Sequence, residues 1–140
     1  MIPIKVVIDT NVLVSRTLTP DGESARVVNM VLAGDAVACY DRRILAEYQE
    51  VLSRPRFGFG RDEVAALLAH LTAEGVAVIP SPLSATLPDE SDRPFAEVAQ
   101  SAQAWLVTGN LRHYPGLDRA IAPADFLRMV YGPDPDAGQL

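Results

Sequence analysis

Acids and amides recur at one kind of position in this chain, after short apolar runs. Asp9-Thr10-Asn11 follow the run Ile4 to Ile8, and Thr108-Gly109-Asn110 close the run that begins at Trp105. The run Ala36 to Cys39 leads into a segment bearing Glu47 and Glu50, and Val76 to Ile79 leads toward Asp89, Glu90 and Asp92. Two carboxylates about 4 Å apart repel by on the order of 4 kcal/mol at an effective dielectric near 20, so such a cluster needs protons or a cation. Hard divalent ions such as Mg²⁺ and Mn²⁺ take oxygen ligands, and Mg²⁺ typically keeps water and phosphate beside one or two carboxylates. For Asp9 alone, a turn residue or helix cap fits equally well. What sets a metal site against that reading is the number of acids directed to one edge.

Other chemistries have less support. Cys39 lies in an apolar run without a nearby histidine and reads as packing. His70 falls in an amphipathic stretch and His113 in a loop, without the spacing of zinc ligands. No phosphate-binding glycine loop follows an apolar run, which argues against a nucleotide P-loop or dinucleotide fold. Ser15 and Thr108, each taken alone, read as ordinary turn hydroxyls.

The elements that position these residues alternate in type. Strands are expected over Ile4 to Ile8, Ala36 to Cys39, Val76 to Ile79 and Trp105 to Thr108, with a short fifth at Ala120-Ile121. A helical turn runs through Val12, Leu13 and Arg16. Helices are expected from Ser24 as N-cap to about Ala33, from Asp41 as cap to Pro55, from about Arg61 to Glu74, from Pro94 to about Ala104, and from Pro123 to about Tyr131. Ala122, the N-cap of the last, offers no side-chain acceptor, which weakens that start by about 1 kcal/mol. Strands alternating with helices predict an α/β three-layer sandwich, a central, mainly parallel sheet of four to five strands with helices on both faces. In such open sheets ligands bind beyond the carboxyl ends of the strands, where the acids and amides collect.

At 140 residues, 49% hydrophobic and 21% charged, the chain fits one domain, expected over 1–131 with a flexible tail over 132–140. One cysteine cannot pair within the chain, no apolar run reaches membrane-spanning length, and the start lacks a signal-peptide pattern, so a cytoplasmic protein is expected. A net charge of −6 excludes nucleic-acid binding through bulk charge. Eleven of the twelve bases are arginine, which leaves local bidentate phosphate contacts open, although genome composition explains the same bias.

Four segments in order resemble the PIN-domain ribonucleases. Val6-Val7-Ile8-Asp9-Thr10-Asn11-Val12-Leu13-Val14-Ser15 is similar to their opening signature, and Glu47-Tyr48-Gln49-Glu50-Val51-Leu52-Ser53-Arg54-Pro55-Arg56-Phe57 to the helix and loop carrying the second acid. Asp89-Glu90-Ser91-Asp92-Arg93-Pro94-Phe95 resembles the third-acid segment, and Trp105-Leu106-Val107-Thr108-Gly109-Asn110 the fourth-strand motif. Pro123-Ala124-Asp125-Phe126-Leu127 resembles the group's final helix, so the likeness spans all but the tail.

The resemblance implies a divalent-metal-dependent endonuclease acting on single-stranded RNA and leaving 5′-phosphate and 3′-hydroxyl ends. Within the family the chain is most like VapC-like toxin components of bacterial type II toxin–antitoxin pairs. That implies an antitoxin protein partner, dimerisation and no membrane. By position, Asp9, Glu47 and Asp92 are the implied metal-coordinating and catalytic acids, served by Mg²⁺ or Mn²⁺. Asn110 stands where many relatives carry aspartate and adds a neutral oxygen ligand, weakening a second metal more than the first. Asn11, Ser15, Asp89 and Thr108 match supporting polar positions, with Asp89 or Glu90 sharing the third acid's place. Arg16, Arg43, Arg54, Arg56, Arg93 and Arg112 are candidates for guiding the RNA backbone, but each reads first as a solvated surface residue and none is taken as a site. Two rival readings stand beside this one: a weak or inactive RNA-binding or assembly module, favoured by Asn110, and a metal-dependent phosphohydrolase for small phosphate esters.

Overall fold

A computed structural model describes residues 3–133. Its elements, in chain order, are β1 (Ile4–Ile8), α1 (Thr10–Leu18), α2 (Glu23–Leu32), β2 (Ala36–Tyr40), α3 (Arg42–Leu52), α4 (Arg61–Glu74), β3 (Val76–Ala77), α5 (Arg93–Ala102), β4 (Trp105–Val107), β5 (Ala120–Ile121) and α6 (Pro123–Tyr131). Short 3-10 turns stand at Pro55–Phe57, Glu90–Asp92 and Leu111–His113. The expected α/β sandwich is what forms, and its sheet is wholly parallel and five-stranded, in the order β3-β2-β1-β4-β5.

The sheet order explains the site. From β1 the chain steps outward through β2 to β3, then returns across the sheet to β4 and β5 on the other side. Right-handed crossovers make the return helix, α5, cover the face opposite to α1 and α2. The step reverses between β1 and β4, which pair in parallel with Ile8 beside Val107. Their carboxyl ends therefore diverge into separate connections and open a crevice at that point.

Local sequence accounts for most element ends. Val6, Val7 and Ile8 are fully buried, as a central strand covered on both faces requires. Asp41 caps α3 by accepting from the Ile44 N–H at 3.0 Å. In α3, Ile44, Tyr48 and Leu52 recur at four-residue intervals and all are buried. Gln103 takes a left-handed φ of 54° and stops α5 at Ala102, short of the expected Ala104. α6 begins at Pro123 from Ala122, without a side-chain cap, and packs Phe126 and Leu127 inward beside α2.

Three elements differ from the sequence reading. The helical turn after Asp9 is a full helix, α1, beginning at Thr10. α2 is capped by Gly22 rather than Ser24, because the Gly22 N–H closes a turn on the Thr19 carbonyl (3.0 Å) and places Glu23 in the first helical turn, where the helix dipole favours an acid. β3 spans two residues instead of Val76 to Ile79. It is an edge strand with one neighbour. The Val78 N–H still reaches the Tyr40 carbonyl at 2.8 Å, but Ile79 is 99% exposed and Pro80 has no N–H to continue the ladder. The expected tail lies outside the described residues from 134 onward.

Gly75, between α4 and β3, is held by close approach: a Cβ there falls 2.4 Å from the Leu71 carbonyl oxygen and 2.5 Å from that of Ala38. Gly75→Ala is therefore expected to lower stability by about 2 kcal/mol, read by urea denaturation, because both contacts are backbone and cannot swing away. An unchanged midpoint would refute this packing.

Candidate active site

Asp9 occupies the N-cap position of α1, yet its side chain makes no capping bond. Its Oδ2 instead accepts from the Thr108 hydroxyl at 2.7 Å and lies 3.4 Å from the Tyr114 hydroxyl. The first bond spans the gap between β1 and β4 where the strand order reverses. The Thr108 hydroxyl in turn accepts from the Asn110 backbone N–H at 2.9 Å, so its proton is directed to Asp9. The plain reading of Asp9 as a helix cap is not what the side chain does.

α3 is tied to the same end of β1 at two adjacent residues. The Tyr48 hydroxyl donates to the Ile8 carbonyl, and Glu47 accepts from the hydroxyl of Thr10, the residue after Asp9. These two bonds bring a carboxylate from α3 toward the one that follows β1.

Asp92 ends a 3-10 turn and precedes α5, again without a capping bond. The turn is held by Asp89, whose Oδ1 accepts from the Ser91 N–H (2.9 Å) and hydroxyl (2.7 Å). His113 Nδ1 lies 2.8 Å from Asp92 Oδ2. When Asp92 is ionised it can only accept, and Nδ1 is then the donor of that pair. Neighbouring Arg93 turns elsewhere, to Glu90 and to the carbonyls of Leu83 and Ala85.

Asp9 feels the charge of Asp92, and Glu47 feels those of Asp9 and Asp92. Burial raises the Asp9 carboxyl above its ordinary value, the Thr108 bond opposes this, and the charge of Asp92 raises it further. Burial raises Glu47 as well, against the Thr10 bond, with the charges of Asp9 and Asp92 adding to the rise. Asp92 is raised by burial, pulled down by His113, and raised again by Asp89. Tyr114 is buried and faces the charges of Asp9 and Asp92, which keep its hydroxyl protonated as a donor. Asp89, fully exposed, is lowered by its bonds to Ser91.

Cations are missing where they are most needed. Glu97, also buried, is held by Arg43 at 2.9 Å and by the Leu83 N–H at 2.9 Å. Asp9, only 6% exposed, and Glu47 have no ion-pair partner among the described residues, and Asp92 has only His113.

This donor set suits a hard divalent cation. Asp9, Glu47 and Asp92 offer oxygens that charge repulsion leaves unrelieved. Among the described residues, the group of three whose ligand atoms lie within 4.8 Å of one another is Asp89, Asp92 and His113, which includes neither Asp9 nor Glu47. Asn11, in the first turn of α1 and beside Gly109, carries a buried Oδ1 without a hydrogen-bond partner, a further oxygen available on that side.

The remaining sequence-derived positions fall as follows. Ser15 is partly buried one helical turn beyond Asn11, so the two share a face of α1. Asn110 is exposed, and its backbone rather than its amide is engaged. Asp89 is exposed beside Asp92, while Glu90 is paired with Arg93. His113, Tyr114 and Tyr48 are participants that sequence reasoning did not single out. The first two lie just beyond Thr108-Gly109-Asn110, and extending the strand-end rule by one turn would have reached them.

The family model described as "PIN domain" matches residues 5–112. The chain is also 27% identical over 112 residues to "Uncharacterized protein MJ1680" of Methanocaldococcus jannaschii, an alignment covering 78% of this chain and 72% of that protein.

Raised carboxyl values mean that the folded, metal-free protein holds these protons more tightly than the unfolded chain. That contribution is complete below the ordinary values of 3.8 and 4.5 and is lost as pH rises through the raised ones. In EDTA, Asp9→Asn should therefore gain melting temperature relative to wild type as pH rises above the ordinary carboxyl range. Parallel pH profiles for the two proteins would contradict the repulsion.

Proposed function

The chain belongs to the PIN domain family, and from that premise we propose that it is an endoribonuclease hydrolysing phosphodiester bonds of single-stranded RNA with Mg²⁺ or Mn²⁺ bound. PIN domains are in general metal-dependent nucleases that use divalent ions. One observation carries the reading: Asp9, Glu47 and Asp92 are held by Thr108, Thr10 and His113 at the carboxyl-end edge of the sheet, and none of the three has a lysine or arginine partner among the described residues.

In this reading Asp9, Glu47 and Asp92 hold the ion, with Asn11 or Asn110 adding a neutral oxygen and Asp89 reinforcing the negative field. A bound divalent ion lowers the pKa of a coordinated water and polarises the phosphate. The protein's own contribution is orientation. Thr108 and Tyr114 fix Asp9, Thr10 fixes Glu47, and His113 fixes Asp92. Ser15 shares the Asn11 face of α1. Cleavage leaves 5′-phosphate and 3′-hydroxyl ends.

The biological role we propose is that of a VapC-like bacterial toxin acting in the cytoplasm, paired with an antitoxin protein and forming a homodimer. No helix of the described residues is long and apolar enough to cross a membrane. A small open reading frame immediately upstream that encodes a binding partner would support the toxin role. A second reading, an RNA-binding module with a weak site, is favoured by Asn110, which removes one charge from the cluster and is exposed.

RNA cleavage in Mg²⁺ or Mn²⁺ is expected to fall by at least about 100-fold in Asp9→Asn, the scale on which loss of one electrostatic stabiliser is felt, and to stop in excess EDTA. Equal cleavage by both proteins would exclude the site. Calorimetric titration with Mn²⁺ separates the readings, because the binding module takes up no metal saturably. In the same titration His113→Ala should weaken Mn²⁺ binding about 10-fold through a misoriented Asp92, and unchanged affinity would remove His113 from the site.

A further inference from the structure

The segment from Arg54 to Arg61, between α3 and α4, reads Arg-Pro-Arg-Phe-Gly-Phe-Gly-Arg and holds three arginines and two phenylalanines without an acid. Phe57 and Phe59 stack with ring centroids 5.6 Å apart and planes 14° from parallel. Gly58 between them adopts a φ of 67°, a left-handed conformation that favours glycine and turns the chain between the two rings. The Arg56 guanidinium lies over the Phe57 ring, 4.8 Å from its centroid. Phe59 packs against the core, Phe57 is half-buried beside it, and Arg56 is exposed over the Phe57 ring.

The flanks hold this stack in place. Arg54 grips Glu50 of α3 with bonds of 2.9 to 3.2 Å, which anchors the start of the loop and uses up that charge. Arg61 opens α4 beside Asp62 and Glu63 and is exposed. Within this loop Arg56 and Arg61 have no carboxylate partner among the described residues, and Arg56 is the one that lies directly on the aromatic stack. α3 links the loop to the acidic site, since Leu52 at its end lies five residues past Glu47, about 7.5 Å along the helix axis.

We infer that the Phe57–Phe59–Arg56 stack is a subsite for single-stranded RNA, resting on the nuclease reading, in which a base stacks on the aromatic–guanidinium layer and arginine contacts the adjacent phosphate. Stacking on a π face with a cation alongside is how proteins hold single strands without reading sequence. It also resolves a contradiction in the composition. A chain of net charge −6 cannot gather RNA by its overall field, so it needs a local basic and aromatic contact next to its acidic centre. A duplex keeps its bases within the stack and cannot use such a platform.

The test is anisotropy titration of a fluorescein-labelled, unstructured single-stranded RNA with the full chain in EDTA. Metal-free conditions read the loop even if the acidic site cleaves nothing, so the two readings fail separately. Phe57→Leu, which keeps apolar packing on Phe59 but removes the π face, is expected to weaken binding about 10-fold. Arg56→Ala weakens it and lowers the slope of log affinity against log salt by about 0.7. Arg56→Lys keeps that slope. Arg119→Ala, whose guanidinium covers Trp105 instead, binds as wild type. Unchanged RNA affinity in both Phe57→Leu and Arg56→Ala would overturn the assignment, leaving the stack as packing or as a surface for a protein. Equal affinity for duplex RNA, or no RNA binding by wild type at low salt, would overturn it as well.

Discussion

A carboxylate taken out of water needs a partner for its charge, and the Asp9 region denies it a cationic one. The Asp9 side chain is held by two hydroxyls, Thr108 and Tyr114, which stabilise the anion by hydrogen bonding without neutralising it. Glu47 and Asp92 then add charge to a site already short of countercharge. A fold seeking only stability would place an arginine there, as it does at Glu97. Burial without a lysine or arginine partner among the described residues raises the carboxyl values of Asp9, Glu47 and Asp92.

The architecture serves that constraint through a few specific ties. Reversal of strand order between β1 and β4 makes the crevice, and the Asp9–Thr108 bond spans it. Tyr48 and Glu47 fasten α3 to the end of β1 at neighbouring residues. The 3-10 turn held by Asp89 sets Asp92 at the start of α5, and His113 arrives from the loop after β4. Four separate connections each deliver a polar group to one edge, while the fully buried Val6, Val7 and Ile8 give them a rigid base.

Much of this was legible in the chain. The strand at Ile4 to Ile8 announced itself as a short apolar run rich in β-branched residues and broken only at Lys5, and Asp41 and Gly75 marked helix ends that the structure keeps. Where the reading slipped, the physics was non-local or set by the backbone. β3 is short because it has one neighbour and then prolines, a fact of sheet position rather than of the Val76–Ile79 pattern. Ser24 is a good cap by type, but the turn closed by Gly22 starts α2 two residues earlier. The sequence pointed to Asp9, Glu47 and Asp92 by their strand-end positions and by likeness to known proteins, not by any view of their side chains.

The sequence by itself determined which segments become strands and helices and that acids follow the strands, because periodicity, capping and chain breaking are properties of near neighbours. Only the tertiary structure decided what those acids do. That Asp9 declines to cap its own helix and turns to Thr108, ninety-nine positions away, depends on β4 lying beside β1. That Tyr114 and His113 join the site depends on where a loop comes to rest. Hydrogen bonds and charge repulsion act through space at a few ångströms, and spacing along the chain cannot report those distances.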